Sequence, residues 1–554
     1  MSYYDIDVMS RPVTTVSPEA QVWFDRGLIW TFAYHHEEAI ACFRKALEHD
    51  PDCAMAHWGI AYAVGPNYNM EWRHFDPAGK AQALATAFDE TKAALALAGG
   101  VTAPERALIE ALQARYPQRS TIEDQAPWND DFADAMRVAY RANPGDLEVT
   151  TIFAEAILNR TPWKMWDLKA GAIAAGAGTQ EARDVLERAM RTDPDAMRHP
   201  GILHLYVHLM EMSPFPELAL PAADVLRTLV PDAGHLIHMP THIDVLCGDY
   251  RAVLVDNQRG IEADRKYYDA AGAMNFYTAY RIHNYHFAIY GAMFLGQYEP
   301  ALAAADELIA TVPEALLRLE TPPMADFIES YLSMKQHVFI RFGKWREIIA
   351  EPLPEDQALY CVTTASIHYA KGVAHAALGD VASAEREKAL FLAARRRVPD
   401  TRLLHNNVCL DLFAIAEAML DGEIEYRRGN YEAAFTHLRR SVELDDGLPY
   451  DEPWGWIQPT RHALGALLLE QGHVEEAEAV YREDLGLTGT LSRATIHPDN
   501  VWSLRGLDDC LRRRKMEDTA EGRLVRQRLS FAQARADRMV AASCFCARAA
   551  MAAE

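Results

Sequence analysis

Long apolar runs are missing from this 554-residue chain. No stretch of about 18 apolar residues occurs, so nothing reads as a membrane span. Its opening residues, Met1-Ser-Tyr-Tyr-Asp-Ile-Asp7, have no basic stretch and no apolar core, which predicts no secretory leader. Positive charge is scarce: Lys and Arg number 55 against 79 Asp and Glu, a net charge of −24. Such a chain lacks the basic face that nucleic acid or an anionic membrane needs, so neither is an expected partner. Only eight cysteines are present. None stands in a CxxC pair, so no disulfide framework is predicted, and reduced thiols in a cytoplasmic protein are expected. Cys544 and Cys546 read as incidental residues of a tail, with metal binding or oxidation as the alternative. HExxH, a phosphate-binding Walker loop, GxGxxG and GxSxG are all missing, and with them the familiar hydrolase and nucleotide chemistries. No segment is β-rich.

What is present is a helical repeat. Apolar residues make up 50% of the chain, enough for a sizeable core. Gly27, Ala39, Phe43, Ala46 and Pro51 are followed by a fresh helix with Trp58-Gly59. Small residues at these spacings let two helices pack closely, and the proline stops the second. Similar sets return at Ala182, Leu186, Ala189 and Pro194; at Ala219, Ala223, Leu226 and Pro231; and at Ala301, Ala305, Leu308 and Pro313. Gly248-Asp-Tyr250-Arg-Ala252, Gly429-Asn-Tyr431 and Gly472-His-Val474 mark further turns, and Gly465 and Gly506 sit where first helices want a small residue. The pattern resembles the tetratricopeptide repeat, a helix–turn–helix unit of about 34 residues. The resemblance covers about 18 to 515 and implies an all-α solenoid, winding as a right-handed superhelix, with a groove of first helices. The expected divisions are an N-terminal arm (1–17), repeats with an irregular insertion (18–130), central histidine-rich repeats (131–320), further repeats (321–515) and a helical tail (516–554).

Eight of the 21 histidines fall between positions 199 and 286. His204 and His208, His235, His238 and His242, and His283 and His286 recur at spacings of three and four, which puts them on one helix face in each segment. In the repeat frame His204 and His208 take positions 5 and 9, and His283 and His286 take 2 and 5, positions that the resemblance assigns to the groove. Counting from Ala252, the middle set is one residue out of register. Pro240 either disturbs that helix or opens it, and in the second case His235 and His238 fall on a loop. His199, beside Pro200, reads as a loop residue, and His337 and His462 stand alone in later repeats.

Imidazole is the commonest neutral metal ligand. A set rich in nitrogen and poor in carboxylate suits a mono- or dinuclear transition-metal site, with copper favoured and iron or zinc as alternatives. The His-x3-His spacing is similar to that of coupled dicopper oxygen-binding proteins, in spacing alone. Expected ligands are His204, His208, His238, His242, His283 and His286, with His235 as a seventh or a supporting group. Glu211 is expected to orient an imidazole or move a proton, and Tyr206 and Tyr290 to face substrate. Trp58, Tyr62 and Asn67 are expected to line a small-molecule pocket, as is Arg461, which could equally pair with Asp451 and Glu452. Glu155, Asn159, Trp163 and Trp166 form another polar-aromatic stretch, and Tyr450-Asp-Glu-Pro453 with Trp456 a third. These stretches, with Gly234-His-Leu-Ile-His238-Met-Pro-Thr-His242, resemble a group of bacterial tetratricopeptide-like proteins. The function expected is a metal-dependent, oxygen-using oxidoreductase acting on a small molecule. The alternative is a scaffold whose groove binds peptides or partner proteins without catalysis.

Overall fold

The glycines and alanines of the repeat pattern do their work in pairs of helices. In a computed structural model describing residues 3–547, the chain is all-α, a succession of paired helices. Two short hairpins interrupt it, Trp166–Asp167 with Ala172–Ile173 and Leu403–Leu404 with Asn407–Val408. Among the described residues no helix is long and apolar enough to cross a membrane. Two compact units emerge. The first runs to Ile243 and takes up Arg259–Gly272; the second comprises Asp244–Gln258 and the described chain from Ala273 onward.

In the first unit Pro18–Phe32 packs on His36–His49, and Ala54–Val64 packs on both. Ser17 caps the first helix, accepting from the Ala20 N–H, with Pro18 at its first position. Phe43 fills the space between three helices. A Cβ on Gly27 would lie 2.6 Å from its ring, and one on Gly59 2.7 Å away. Only glycine leaves room for the ring on both sides, so these two positions are fixed by close approach. The pairing continues through Ala103–Arg115 with Ala126–Ala142, and Leu147–Leu158 with Thr179–Thr192, to Pro200–Glu211 with Leu220–Leu229. The segment after Gly65 opens with a loop and then holds a 21-residue helix, Pro77–Leu97.

The second unit repeats the device. Tyr481 of Val474–Asp484 lies between Gly465 and Gly506, whose Cβ atoms its ring would exclude. Thr278–Leu295 packs on Tyr298–Ala310, Cys361–Ala377 on Val381–Arg395, and Cys409–Arg428 on Tyr431–Asp446. Turn glycines precede the second helices with left-handed backbones, Gly296 at φ 73°, Gly429 at 85° and Gly472 at 87°, a conformation that costs other residues energy.

Two expectations about the tail are corrected. It is helical only over Ala520–Arg535; residues 536–547 are irregular, and 548–554 lie outside the described residues. That irregular stretch is held by its backbone. Arg505 donates to the Val540 carbonyl at 3.1 Å, Arg341 to Ser543 at 2.6 Å, and Arg427 to Cys546. Cys544 and Cys546, expected to be reduced and incidental, form a disulfide, because the turned chain brings their Cα atoms to 5.2 Å. Among the described residues the other six cysteines form no disulfide.

Candidate functional site

The histidine segment of the first unit begins with a cap. Pro200 opens the helix Pro200–Glu211, and the His199 ring accepts the Ile202 N–H at 3.2 Å, so His199 ends a loop as expected. Along that helix His204, His208 and Glu211 share one face, at spacings of four and three. All three are buried. Tyr206 points the opposite way, where its hydroxyl donates to Glu187 at 3.1 Å. Its expected role against substrate is therefore replaced by a tie between neighbouring helices.

Pro240 opens its own helix, Pro240–Cys247, but His235 and His238 do not fall on a loop. They sit on a five-residue helix, Gly234–His238, joined to the next through Met239 in helical conformation. The register problem also resolves. Each turn glycine stands five residues before the buried small position, as Gly296 does before Ala301 and Gly429 before Ala434. Gly248, at φ 81°, points to Val253, which is fully buried, and not to Ala252. Counted from Val253, His235, His238 and His242 take positions 2, 5 and 9.

Five imidazoles and one carboxylate thus gather in the first unit. Ring nitrogens of His204, His208 and His235 lie within 4.8 Å of one another. Glu211 receives His208 Nδ1 at 2.9 Å on one oxygen and His242 Nδ1 at 2.8 Å on the other. The Phe32 carbonyl accepts from His204 Nδ1 at 2.6 Å. With Nδ1 the donor in all three rings, each Nε2 carries a lone pair toward the interior. Among the described residues the Nε2 atoms of His204 and His208 meet no hydrogen-bond partner, whereas His242 Nε2 lies 2.7 Å from His238 Nε2. Burial keeps His204, His208 and His235 neutral. It pushes His204 down to about 3, partly opposed by the Phe32 carbonyl, and it drives His208 and His235 well below the usual imidazole range, with neighbouring imidazoles adding to the effect.

An aromatic shell surrounds this cluster, and its central member was missed in the sequence. Tyr34 centres 4.5 Å from His204, 5.9 Å from His208 and 5.7 Å from His235. Its backbone is left-handed, φ 54°, at the turn position that glycine holds in later repeats, five residues before Ala39. That substitution of tyrosine for a turn glycine was the available signal. Tyr68 lies 4.6 Å and Trp163 5.8 Å from His208. Beyond them Trp58 stacks on Tyr62 at 5.2 Å, and Tyr62 donates to Glu155. Buried Arg115 lies over Tyr62 at 4.6 Å. Burial raises the Glu155 carboxyl, opposed by hydrogen bonds from Tyr62 and Tyr34 and by the Arg115 charge. Asn67 is buried in a tight loop, where its side-chain oxygen accepts the Asn69 N–H at 2.9 Å.

The remaining expected residues belong to the second unit. His283 and His286 share the helix Thr278–Leu295, their rings 6.1 Å apart. Both nitrogens of His286 are buried with no hydrogen-bond partner among the described residues, and burial pushes it down to about 3, with His405 and His337 adding to the effect. His283 stacks on His405 at 4.9 Å, and His405 Nδ1 meets Asp451 at 2.5 Å. Tyr290 is buried against Phe294 at 4.3 Å. Burial raises its hydroxyl far above the usual range, with Asp484 and Asp445 adding to the shift. Arg461 pairs with Asp446 at 2.5 Å and Glu483 at 3.3 Å rather than with Asp451 and Glu452. The solitary His462 is structural: it donates from Nε2 to Asp484 at 3.0 Å, and Asp484 also receives His497, Asn500 and Ser503.

The tetratricopeptide repeat model matches residues 20–53. That repeat is the pair Pro18–Phe32 and His36–His49, and Tyr34 is the residue at its turn. No curated protein sequence matches the chain. Among solved structures, yeast Tom70 aligns over 92% of this chain and 99% of its own, at 10% identity and a TM-score of 0.29. A Cut9–Hcn1 hetero-tetramer of the APC/C aligns over 95% of both chains, at 12% identity and a TM-score of 0.25. Likenesses of this size carry no argument about function.

Proposed function

We propose that the chain is a tetratricopeptide-type scaffold whose first unit carries a buried transition-metal site built from imidazoles. One observation carries the reading: the Nδ1 atoms of His204, His208 and His242 are all committed to Phe32 and Glu211, and their Nε2 atoms face the interior. Histidines that hold a metal commonly give their other N–H to a carboxylate or carbonyl, which fixes tautomer and ring orientation. A lone pair buried without a donor costs about 1–3 kcal/mol, and an ion would offset that cost at His204 and His208. Nitrogen donors with Glu211 one step behind favour copper, with iron(II) or zinc as alternatives. The oxygen-using oxidoreductase reading follows only if the bound ion is redox-active. Tyr34, Tyr62 and Glu155 would then be the groups beside a small-molecule substrate.

The second reading is a scaffold that binds a peptide or partner protein without catalysis. The repeat match at 20–53 favours it, and nothing in the comparisons favours catalysis. Elemental analysis with an optical spectrum, on protein purified without a histidine tag, separates the two. The metal reading expects one or two ions per chain, lost in His208→Ala. Folded protein that neither contains nor takes up metal leaves the scaffold alone.

A further inference from the structure

We infer that the imidazole cluster of the first unit is a two-ion centre, made of two ligand sets that share Glu211. The inference rests on the metal reading above and adds the number of ions and the coupling between them. His204, His208 and His235 form one set, with ligand nitrogens within 4.8 Å of one another and the Tyr34 ring against all three. His238 and His242 form the other, drawn from two successive short helices, with their Nε2 atoms 2.7 Å apart.

Two Nε2 atoms at that distance cannot both carry a proton, so at least one offers a lone pair. A tetrahedral ion bonded at about 2.0–2.1 Å to each would separate them to roughly 3.4 Å. The required opening is under about 1 Å, which small ring rotations supply. A single tetrahedral ion accepts four ligands, and five imidazoles are gathered here. The surplus is accounted for if three serve one ion and two the other.

Glu211 joins the sets. One oxygen takes His208 of the first set and the other takes His242 of the second. Loading either set fixes the carboxylate and thereby the tautomer and orientation of a ligand in the other. Positive coupling between the two binding events follows, and by linkage it is reciprocal.

Calorimetric titration of metal-free, untagged protein with Zn²⁺, backed by elemental analysis, tests this. The expected stoichiometry is two for the unaltered chain and one for either His204→Ala or His238→Ala. Glu211→Gln should keep two ions but weaken them about 10–100-fold and abolish the cooperativity. Circular dichroism confirms that each variant folds; should an alanine variant fail, His204→Gln and His238→Gln replace it. A stoichiometry of one, reduced to none by either single substitution, would mean one shared ion. That overturns the two-ion centre and leaves the metal reading standing. Absence of binding by the folded, unaltered chain overturns both.

Discussion

At the residue scale, Tyr34 carries the most unusual demand. A tyrosine with a left-handed backbone stores strain of about 1–2 kcal/mol, yet its ring covers three imidazoles. Replacing it should therefore reverse a familiar order. Tyr34→Ala loses the buried ring, a cost of about 3–5 kcal/mol, and keeps the strain. Tyr34→Gly loses the same ring but relieves the backbone. The glycine variant should unfold at a higher urea concentration than the alanine variant, by about 1 kcal/mol of stability. Equal midpoints would show that the left-handed turn stores nothing. Tyr206 makes the complementary point: two residues from His204 on a helix is the opposite face, and only a full angular count along Pro200–Glu211 assigns it to Glu187.

At the scale of elements, helix packing depends on places where no side chain fits. Gly27→Ala would drive a methyl into the Phe43 ring and should cost about 1–3 kcal/mol, read as a lowered thermal midpoint. Gly100→Ala, where a Cβ meets nothing within 4 Å, is the control and should stay within about 0.5 kcal/mol. The helix pairs were legible because small residues, buried aromatics and turn glycines recur at fixed spacings. The register of the middle histidines was not, because Ala252 looked like the small position while Val253 filled it. The turn glycine, whose φ is fixed by backbone sterics, was the better anchor. His204, His208, His242 and Glu211 were readable from helical spacing. Tyr34 was missed because a tyrosine at the turn does not look like the glycine that marks that position in later repeats. The Arg461 partners were missed because charge alone does not choose among Asp446, Asp451, Glu452 and Glu483. The irregular end of the tail was hidden by an Ala- and Arg-rich composition that suits a helix.

For the whole molecule, buried neutral histidines set the response to acid. Burial pushes His35, His204 and His286 down to about 3, and His36, His337 and His462 to about 4. Unfolded, each titrates near about 6.5, so below that pH the unfolded chain binds protons that the folded chain does not. Stability is therefore full above about pH 6.5 and falls as pH drops toward 4. Each ring contributes up to about 1.4 kcal/mol per pH unit. Urea midpoints of metal-free protein should fall steeply between pH 7 and 5, and a flat profile would mean that the rings are not held neutral. The tail bears on a different process, the order in which the chain is made. The last residues of the first unit, Arg259–Gly272, emerge before most of the second unit has been made. The carbonyls that Arg505, Arg341 and Arg427 hold at 540, 543 and 546 emerge roughly 270 residues later, about 15–55 seconds at about 5–20 residues per second. Arg341, Arg427 and Arg505 are themselves made within that interval, so the second unit can seat its tail only at the end of it, while the first unit already has every residue it needs.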